Sequence, residues 1–371
     1  MREWFSGLSE TGKVALVVAV ITTFGGGVFG VVNAVISTSA NSNDADKPGK
    51  GTSTAAAHGG DPTSRNNAAD SKPDESKMRL CNEYPGGWDE SDKEIAPDSR
   101  FDADKEYITF ADIDGDGRDD YLVVNRDTGA VRVWNNLRNV DGKFKWGRVV
   151  SMTSGVDGFD AEKEDIDFAD IDGDGRDEYL VVNHETGAVK AWKCSGDDQF
   201  GPPKWRIDAR IPNNMGKGAM ITFADIDGNG RDDYLMVDTA SGAVQAWLNL
   251  GSNQYGQLEW KHLENVISDG LNGGQLPTFH NVDCDKRADY LVETTKGPLN
   301  ARMNRGAASD GKFVWEKEVQ IANGGGLDGK TVRREFADLN GDGRDDILWI
   351  KRKTGVVIKT FINNGGDRDP V

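Results

Sequence analysis

The side chains best suited to chemistry in this sequence are carboxylates spaced two residues apart in glycine-containing loops. The first copy, Asp112–Asp120, reads DIDGDGRDD and places acids at positions 1, 3, 5 and 9. This spacing, together with the backbone carbonyl of position 7, supplies the roughly six to eight oxygens that Ca²⁺ prefers. Glycine at position 6 permits the left-handed turn that wraps the chain around an ion. The motif therefore predicts a calcium site.

Four loops carry this pattern in full. Isolated Asp-Gly pairs are usually turn residues, but serial copies with one acid spacing favour cations, which neutralise the crowded carboxylates. No reactive group stands beside each loop, so the ions are expected to be structural. The predicted ligands are Asp112, Asp114, Asp116, the carbonyl of Arg118 and Asp120; Asp170, Asp172, Asp174, the carbonyl of Arg176 and Glu178; Asp225, Asp227, Asn229, the carbonyl of Arg231 and Asp233; and Asp338, Asn340, Asp342, the carbonyl of Arg344 and Asp346.

A further loop, at 281–289, departs from the pattern. It keeps side-chain oxygens at positions 1, 3, 5 and 9, but Cys284 and Lys286 replace both glycines. Lys286 also brings a positive charge to the point where the chain must turn. We expect weak or no calcium binding there, so the whole chain is predicted to bind about four Ca²⁺ ions.

The loops belong to a longer repeat. The segment FADIDGDGRDDYLVV begins at Phe110 and returns, with changes and at nearly equal intervals, from Phe168, Phe223, Phe279 and Phe336. In four copies a turn and an alternating strand follow, as in the first copy's TGAVRVW, and a further short strand comes after that. These last strands are marked by Trp146, Trp205, Trp260 and Trp315.

Each repeat is predicted to form four short strands, because apolar and polar residues alternate between Gly and Asp turn signals. In the first repeat we expect strands at Ile108–Phe110, at Tyr121–Val124, at Val131–Trp134 and after Trp146. Four-stranded units repeated radially form a β-propeller. The alternative, a solenoid, usually has shorter units and capping repeats at both ends.

The two ends of the repeat region favour the propeller. The fifth repeat stops soon after its third strand, whereas Trp88–Ala96 precedes the first loop in the way that a fourth strand precedes the second loop. We therefore predict an all-β fold, a five-bladed β-propeller over residues 78–371, closed by this N-terminal strand.

The repeats resemble FG-GAP/VCBS repeats, which occur in integrin alpha-subunit propellers, bacterial surface proteins and accessory domains of secreted hydrolases. The resemblance extends from about Trp88 to Asn364 and rests on the serial DxDGDGxxD loops. It implies a calcium-stabilised extracellular propeller engaged in adhesion or recognition. Integrin heads differ in blade number and have fewer metal loops, so their ligands are not carried over.

Three tryptophans are candidate ligand-binding residues. Trp134, Trp192 and Trp247 occupy the same place in three repeats, on a strand face shared with polar side chains such as Arg132. Rings in such surroundings can stack on sugars, which would make the protein a multivalent lectin. The alternative is that these rings fill the widening gap between neighbouring blades.

The N-terminal part has a different composition. The uncharged run from Val14 to Ile36 is long enough to cross a bilayer as a helix, and the following stretch, 37–77, lacks every large apolar side chain, which is typical of a disordered tether. A cleaved secretory signal is the alternative, because Thr38-Ser39-Ala40 is a small-residue cleavage site. The expected order is a short cytoplasmic N-terminus (1–13), a transmembrane signal-anchor (14–36), a disordered linker (37–77) and an extracellular propeller (78–371).

Composition limits the functional classes. With 62 Asp and Glu against 44 Lys and Arg, the net charge is −18, which repels phosphate backbones, so no nucleic-acid partner is expected. The chain has three cysteines, at 81, 194 and 284, too few for a four-cysteine zinc site, and their pairing stays open. No G-x-S-x-G motif is present, so a non-enzymatic protein is expected.

The sequence thus indicates a membrane-tethered, calcium-binding module for recognition or adhesion, with lectin-like glycan binding as one form of it. Its expected partner is a glycan or a cell-surface or extracellular protein. It would be membrane-anchored with the propeller outside the cell, or secreted if the N-terminal segment is cleaved. The alternative functions are an accessory propeller of a secreted hydrolytic system and a hydrolase itself.

Overall fold

The structure, a computed structural model, describes residues 88–91, 95–97, 99–137, 144–194, 205–207, 219–267, 277–293, 298–323 and 329–365. The chain divides into two units, Met1–Ala68 and Ala69–Val371, and every described residue lies in the second. The predicted transmembrane segment and tether lie outside the described residues. Within the described part, the structure contains no helix long and apolar enough to span a membrane.

The described residues are all-β, as predicted from the alternating sequence pattern. Their strands form five four-stranded antiparallel sheets and two small hairpins. In chain order the strands are β1 (Trp88–Ser91), β2 (Glu106–Ala111), β3 (Asp120–Asn125), β4 (Val131–Trp134), β5 (Asn136–Leu137), β6 (Lys145–Trp146), β7 (Val150–Thr153), β8 (Glu164–Ala169), β9 (Glu178–Asn183), β10 (Val189–Lys193), β11 (Trp205–Ile207), β12 (Ala219–Ala224), β13 (Asp233–Asp238), β14 (Val244–Ser252), β15 (Leu258–Ile267), β16 (Pro277–His280), β17 (Asp289–Glu293), β18 (Leu299–Arg302), β19 (Asn304–Ala307), β20 (Phe313–Trp315), β21 (Val319–Ala322), β22 (Val332–Ala337), β23 (Asp346–Lys351) and β24 (Val357–Asn363).

These sheets are the five blades of a β-propeller. Their strand orders are β2-β3-β4-β7, β8-β9-β10-β11, β12-β13-β14-β15, β16-β17-β18-β21 and β22-β23-β24-β1, which we number blades 1 to 5. The first strand of each blade is innermost, since β12 contacts both β8 and β16, and β2 contacts β22. The second strand is buried between neighbours on both faces, and its central residues are accordingly apolar, as in the YLVV of β3.

The outermost strand of blade 5 is β1. Its residues pair antiparallel with β24, from Trp88 opposite Asn363 to Ser91 opposite Thr360. Trp88 is 6% exposed, and its indole Nε1 donates to the carbonyl of Ile321 in blade 4 at 3.0 Å. The pairing lies where the predicted closing strand would lie, and the dependence of the ring on that strand stays a prediction.

The predicted fourth strands vary among blades. Trp260 lies in β15 of blade 3, but Trp146 lies in the hairpin β5–β6 and Trp315 in the hairpin β19–β20. In blades 1 and 4 the fourth strand follows later, as β7 and β21. In blade 3 the long strands β14 and β15 form both the pairing of the third and fourth strands and the pairing that is a separate hairpin in blades 1 and 4. A register shift between Asn249 and Ser252 separates the two parts.

Buried tyrosines join neighbouring blades. Tyr121, Tyr179, Tyr234 and Tyr290 are at most 1% exposed, and each hydroxyl donates to a glycine carbonyl in a turn of the adjacent blade. Tyr179 contacts Gly129 in this way at 2.8 Å. Gly129 has a φ of +70°, and a Cβ there would lie 2.6 Å from the Tyr179 hydroxyl, so no other residue fits.

Candidate metal centre

Each acidic loop joins the first and second strands of a blade. In blade 1, β2 ends at Ala111 and β3 begins at Asp120, so the loop spans the gap between two paired strand ends. The same connection recurs in the other four blades. Because the blades share one strand order, all five loops lie at the same end of the propeller.

The first aspartate of the loop organises the backbone. Asp112 accepts hydrogen bonds from the amides of Gly115 and Gly117 through its two carboxylate oxygens, each at 2.7 Å, and from the amide of Asp116 at 3.2 Å. Asp170, Asp225 and Asp338 accept bonds from the equivalent glycine amides. The last acid fixes the loop to the residues that follow the third strand, since Asp120 accepts the amide of Asn136 in β5 at 2.8 Å.

Three predicted sites bring their carboxylates together. In each group, oxygens from positions 1, 3 and 9 lie within 4.8 Å of one another. The groups are Asp112, Asp114 and Asp120; Asp170, Asp172 and Glu178; and Asp225, Asp227 and Asp233. Three convergent carboxylates form the hard, oxygen-rich donor set that Ca²⁺ requires.

Unpartnered oxygens in these loops point to a cation. Asp114 Oδ1 and Asp172 Oδ1 are buried without a hydrogen-bond partner, and so is Oε1 of Glu178, whose side chain is fully buried. In the fifth-blade loop, which has an asparagine at position 3, Oδ1 of Asn340 is in the same state. Buried oxygens without donors are costly, and a bound cation removes that cost. The residues of these loops therefore fit calcium.

The acids of the loops are hard to ionise without a cation. Burial, the largest cause, raises the pKa of Asp112 to about 6 and that of Asp120 to about 8. In the second loop, burial and then the charges of Asp172 and Asp170 raise the pKa of Glu178 to about 9. A divalent ion between these groups would stabilise their charged forms.

The acids at position 5 are not in these groups. Asp116 contacts the guanidinium of Arg118, and Asp174 lies 2.7 Å from Nζ of Lys193, which also contacts Asp172. Their predicted role as ligands, and that of the position 7 carbonyls, stays a prediction.

The loop of blade 4 keeps the backbone shape but contains an arginine. Cys284 and Lys286 have φ values of 57° and 71°, close to those of the glycines they replace. Asp283 is fully buried, and Nη1 of Arg305 contacts its carboxylate at 2.5 Å. Arg305 also lies 3.7 Å from Asp285. A guanidinium therefore neutralises acids that correspond to the predicted calcium ligands of the other loops, which supports the expectation of weak or no calcium binding there.

The structure also shows two sets of loop residues that motif analysis missed. The aspartate at position 8 forms two hydrogen bonds to the loop of the neighbouring blade. The amide of Asp177 donates to the carbonyl of Asp112 at 2.8 Å, and a carboxylate oxygen of Asp177 accepts a bond from the amide of Asp112 at 2.8 Å. The amide-to-carbonyl bond recurs between every pair of neighbouring blades, including blades 5 and 1. An acid at position 8 in four of the five loops was the feature of the sequence that could have indicated this role.

The second set is a buried asparagine that lies near the end of the third strand or just beyond it. In blade 3, Nδ2 of Asn249 donates to the carbonyls of Ile171 in blade 2 and of Asp232. Asn136, Asn304 and Asn363 make the equivalent pair of bonds. In blade 2 this position is Cys194, a buried free thiol. Cys284 is disulfide-bonded, and the remaining cysteine, at 81, lies outside the described residues.

The candidate sugar-stacking tryptophans lie in aromatic ladders. Trp134 is 5% exposed, whereas Trp192 and Trp247 are half-buried. Each packs edge-on against the buried tyrosine of its own blade, with centroids 5.3 to 5.8 Å apart. This placement favours the packing interpretation, and sugar binding by these rings stays a prediction.

Comparison with known proteins gives a family for the repeats. Residues 112–181 and 170–236 match the model of the FG-GAP-like repeat, whereas no curated protein matches the chain. Similar solved structures include an Agrocybe aegerita lectin that recognises non-reducing terminal N-acetylglucosamine, with 20% identity, a TM-score of 0.37 and coverage of 66% of this chain and 61% of the lectin. Others are the Photorhabdus luminescens Tc holotoxin pore (14% identity, TM-score 0.40) and the TcdB2-TccC3 complex (14% identity, TM-score 0.41), each covering 77% of this chain and 15% of the toxin chain.

This chain spans less than two thirds of the length of each of those proteins. The family match covers two adjacent repeats, which correspond to the acidic loops of blades 1 to 3 and the strands between them. Residues 112–236 therefore carry two adjacent FG-GAP-like repeats, and these lie within a five-bladed β-propeller.

Proposed function

We propose that this protein is a calcium-stabilised propeller that acts as a recognition module. Calcium holds the loops at one end of the propeller in shape, and the blade edges and clefts between them bind a glycan or an extracellular protein. The observation that carries the calcium part is the convergence of three carboxylates within 4.8 Å around buried, unpartnered oxygens.

The described residues support binding rather than catalysis. His262 stacks on Trp247 at 4.3 Å, His280 stacks on Phe336 at 4.3 Å, and His184 lies at the surface beside Asp165. The acids that could form catalytic pairs are used to shape loops and join blades. A non-enzymatic role is therefore the better proposal.

We further propose that the N-terminal segment tethers the propeller to a membrane, with the propeller outside the cell. The uncharged apolar run at 14–36 and the polar stretch at 37–77 support this arrangement. Cleavage after the apolar run would release the same propeller as a secreted protein.

Calcium titration of the full chain tests the structural-metal part. Isothermal titration calorimetry should report about four ions, because four loops keep the full oxygen set. Addition of chelator should lower the melting temperature, since calcium binds the folded state alone. Equal melting temperatures in calcium and in chelator would remove the calcium claim.

A glycan array tests the recognition part, with the full chain applied in calcium and again in chelator. Calcium-dependent binding to a defined class of sugar would establish a lectin. A negative result from folded, calcium-loaded protein would redirect the search to a protein partner, through pull-down from extracellular fractions with an unfolded sample as the control.

A further inference from the structure

The cleft between blades 5 and 1 concentrates positive charge. It has a volume of about 350 Å³ and opens beside the start of β2 and β22, away from the acidic loops. Its lining has four cations and one carboxylate, Glu106, in a chain whose net charge is −18. We call it the arginine cleft; its charged and aromatic lining consists of Arg126, Arg333, Lys351, Arg352, Glu106, Phe101 and Tyr107.

The carboxylate of the cleft is already engaged. Glu106 accepts two hydrogen bonds from Nη2 of Arg132, at 2.8 and 2.9 Å, and one from the amide of Asp102 at 2.9 Å. Arg132 does not line the cleft. Arg333 has its own partner, Glu335, two residues along β22. Within the arginine cleft, therefore, no carboxylate is left to pair with Arg126, Lys351 or Arg352.

Arg126 and Arg352 are held in place by other contacts. The guanidinium of Arg126 lies 4.7 Å from the ring centroid of Tyr107, and Nε of Arg352 donates to the carbonyl of Gly329 at 3.0 Å. Neither forms an ion pair with a carboxylate of the described residues. Both side chains are thus positioned at the cleft with their charge available.

The next cleft around the ring shows that the fold does not need this charge. Between blades 1 and 2, the equivalent cleft has a volume of about 150 Å³ and is lined by one arginine, Arg126, together with two acids, Glu164 and Asp165. When the repeats are aligned, Tyr107 in this cleft is equivalent to Arg333 in the arginine cleft, and Asn125 is equivalent to Lys351.

The hydrogen bond that joins neighbouring blades at this position is present in both clefts. The Tyr107 hydroxyl donates to the carbonyl of Ile166 at 2.6 Å, as Nη2 of Arg333 donates to the carbonyl of Ile108 at 2.5 Å. A neutral donor therefore suffices to join blades at this position. The positive charge of Arg333 is extra to the packing.

The cations of the arginine cleft oppose one another. Burial, followed by the positive charges of Arg352 and Arg126, lowers the pKa of Arg333 to about 10. Such repulsion destabilises the fold unless an anion offsets it. Guanidinium groups bind carboxylates, sulfates and phosphates through paired N–H donors, more tightly than neutral donors do.

We propose that the arginine cleft binds an oxyanionic group of an acidic saccharide, a carboxylate or a sulfate, between Arg126 and Arg352, and that the positive charge of Arg333, which also pairs with Glu335, contributes to the attraction. Phe101 and Tyr107 supply the apolar wall against which the body of such a ligand lies. This inference rests on the recognition role proposed above and specifies its ligand class.

Calorimetry on the full chain in calcium tests the cleft, with glucuronate, inorganic sulfate and glucose as probes. Both oxyanions should bind and glucose should not. Tighter binding of glucuronate than of sulfate would support a saccharide ligand, whereas equal or weaker binding of glucuronate would overturn the saccharide part.

The variants separate a local site from general charge. R126Q combined with R352Q should weaken oxyanion binding by about tenfold or more, because each arginine offers charge-assisted hydrogen bonds. K353Q is the matched control, because Lys353 is exposed on the same turn and does not line the cleft. The K353Q variant should therefore bind oxyanions with the affinity of the unaltered protein. R333Y, which copies the residue of blade 1, should weaken oxyanion binding while keeping a donor between blades.

Several results would overturn the proposal. Equal weakening by K353Q and by the double variant would show diffuse electrostatic attraction, and unchanged affinity in the double variant would place the anion elsewhere. Circular dichroism should show that the exposed substitutions leave the fold intact. If the protein binds a neutral sugar on the array but no oxyanion, the cleft assignment fails and the recognition role stands.

Discussion

Side chains with the same chemistry have different tasks within one loop. Asp112 gives both carboxylate oxygens to backbone amides, whereas Asp114 keeps one buried oxygen without a partner. The sequence predicts both as calcium ligands of equal rank. At the residue scale the structure gives Asp112 a second task, because it shapes the loop as well as belonging to the group of convergent carboxylates, whereas Asp114 keeps an oxygen without a partner.

Replacement of each acid by alanine tests this distinction. Asp114→Ala should lower calcium stoichiometry by about one and destabilise the protein in calcium, but change the melting temperature little in chelator. Asp112→Ala should destabilise it in both conditions, by about 1–3 kcal/mol in chelator, because three loop amides lose their acceptor. Differential scanning calorimetry of both variants, with and without calcium, makes the comparison. Identical behaviour of the two variants in chelator would contradict the division of tasks.

Blade 2 lacks the asparagine that joins the other blades. Cys194→Asn should stabilise the protein by about 1–2 kcal/mol, since the new amide would gain two hydrogen bonds by analogy with Asn249. The expected acceptors are the carbonyls of Ile113 and Asp177. Urea unfolding measures the change, with Cys194→Ala as the control for loss of the thiol. An asparagine variant no more stable than the alanine variant would show that this position differs in geometry.

At the scale of the element, one loop shape is stabilised in two ways. Four loops have glycines at the positive-φ positions, and three of these loops bring carboxylates together, whereas the loop at 281–289 adopts similar φ values with Cys284 and Lys286. Its acids face Arg305. The backbone turn is thus retained where the chemistry has changed.

Loss of that arginine should act independently of calcium. Arg305→Gln leaves the fully buried Asp283 without its cationic partner, so we expect a loss of roughly 1–3 kcal/mol, discounted for the partial exposure of the arginine. The loss should be equal in calcium and in chelator, and the number of bound ions should not change. Thermal unfolding in both buffers checks this; a smaller loss in calcium than in chelator would mean that the loop binds an ion once the arginine is removed.

At the scale of the whole molecule, the ring is joined both by its centre and by its rim. Near the centre, each loop donates an amide to its neighbour, as Asp119 does to Asp338 across blades 1 and 5 at 2.9 Å. At the rim, β1 completes blade 5, and Trp88 bonds to blade 4. Both connections link distant parts of the sequence, so unfolding should be cooperative.

Deletion of residues 78–97 should therefore abolish the whole propeller rather than loosen one blade. The deletion removes a buried tryptophan and exposes the edge of β24. Circular dichroism melting of the full chain with and without this segment gives the answer. A deletion of equal length within residues 37–77 is the control and should leave the transition unchanged. A melting curve for the 78–97 deletion that matched the intact protein would exclude closure by this strand.

The sequence by itself determined what is periodic and local. The alternating strands, the acidic loops and the number of blades all follow from a repeat in which each unit carries its own turns and its own buried face. The departure of the loop at 281–289 was also evident, since Lys286 stands where glycine is expected.

Only the tertiary structure decided how neighbouring units meet, because contacts between blades join residues that no single repeat contains. It placed Arg305 against Asp283 and gave Asp177 and Asn249 their bonding roles. It also brought Arg126 and Arg352 to one cleft. Those two arginines lie in the first and the last repeat of the sequence, and closure of the ring alone makes them neighbours.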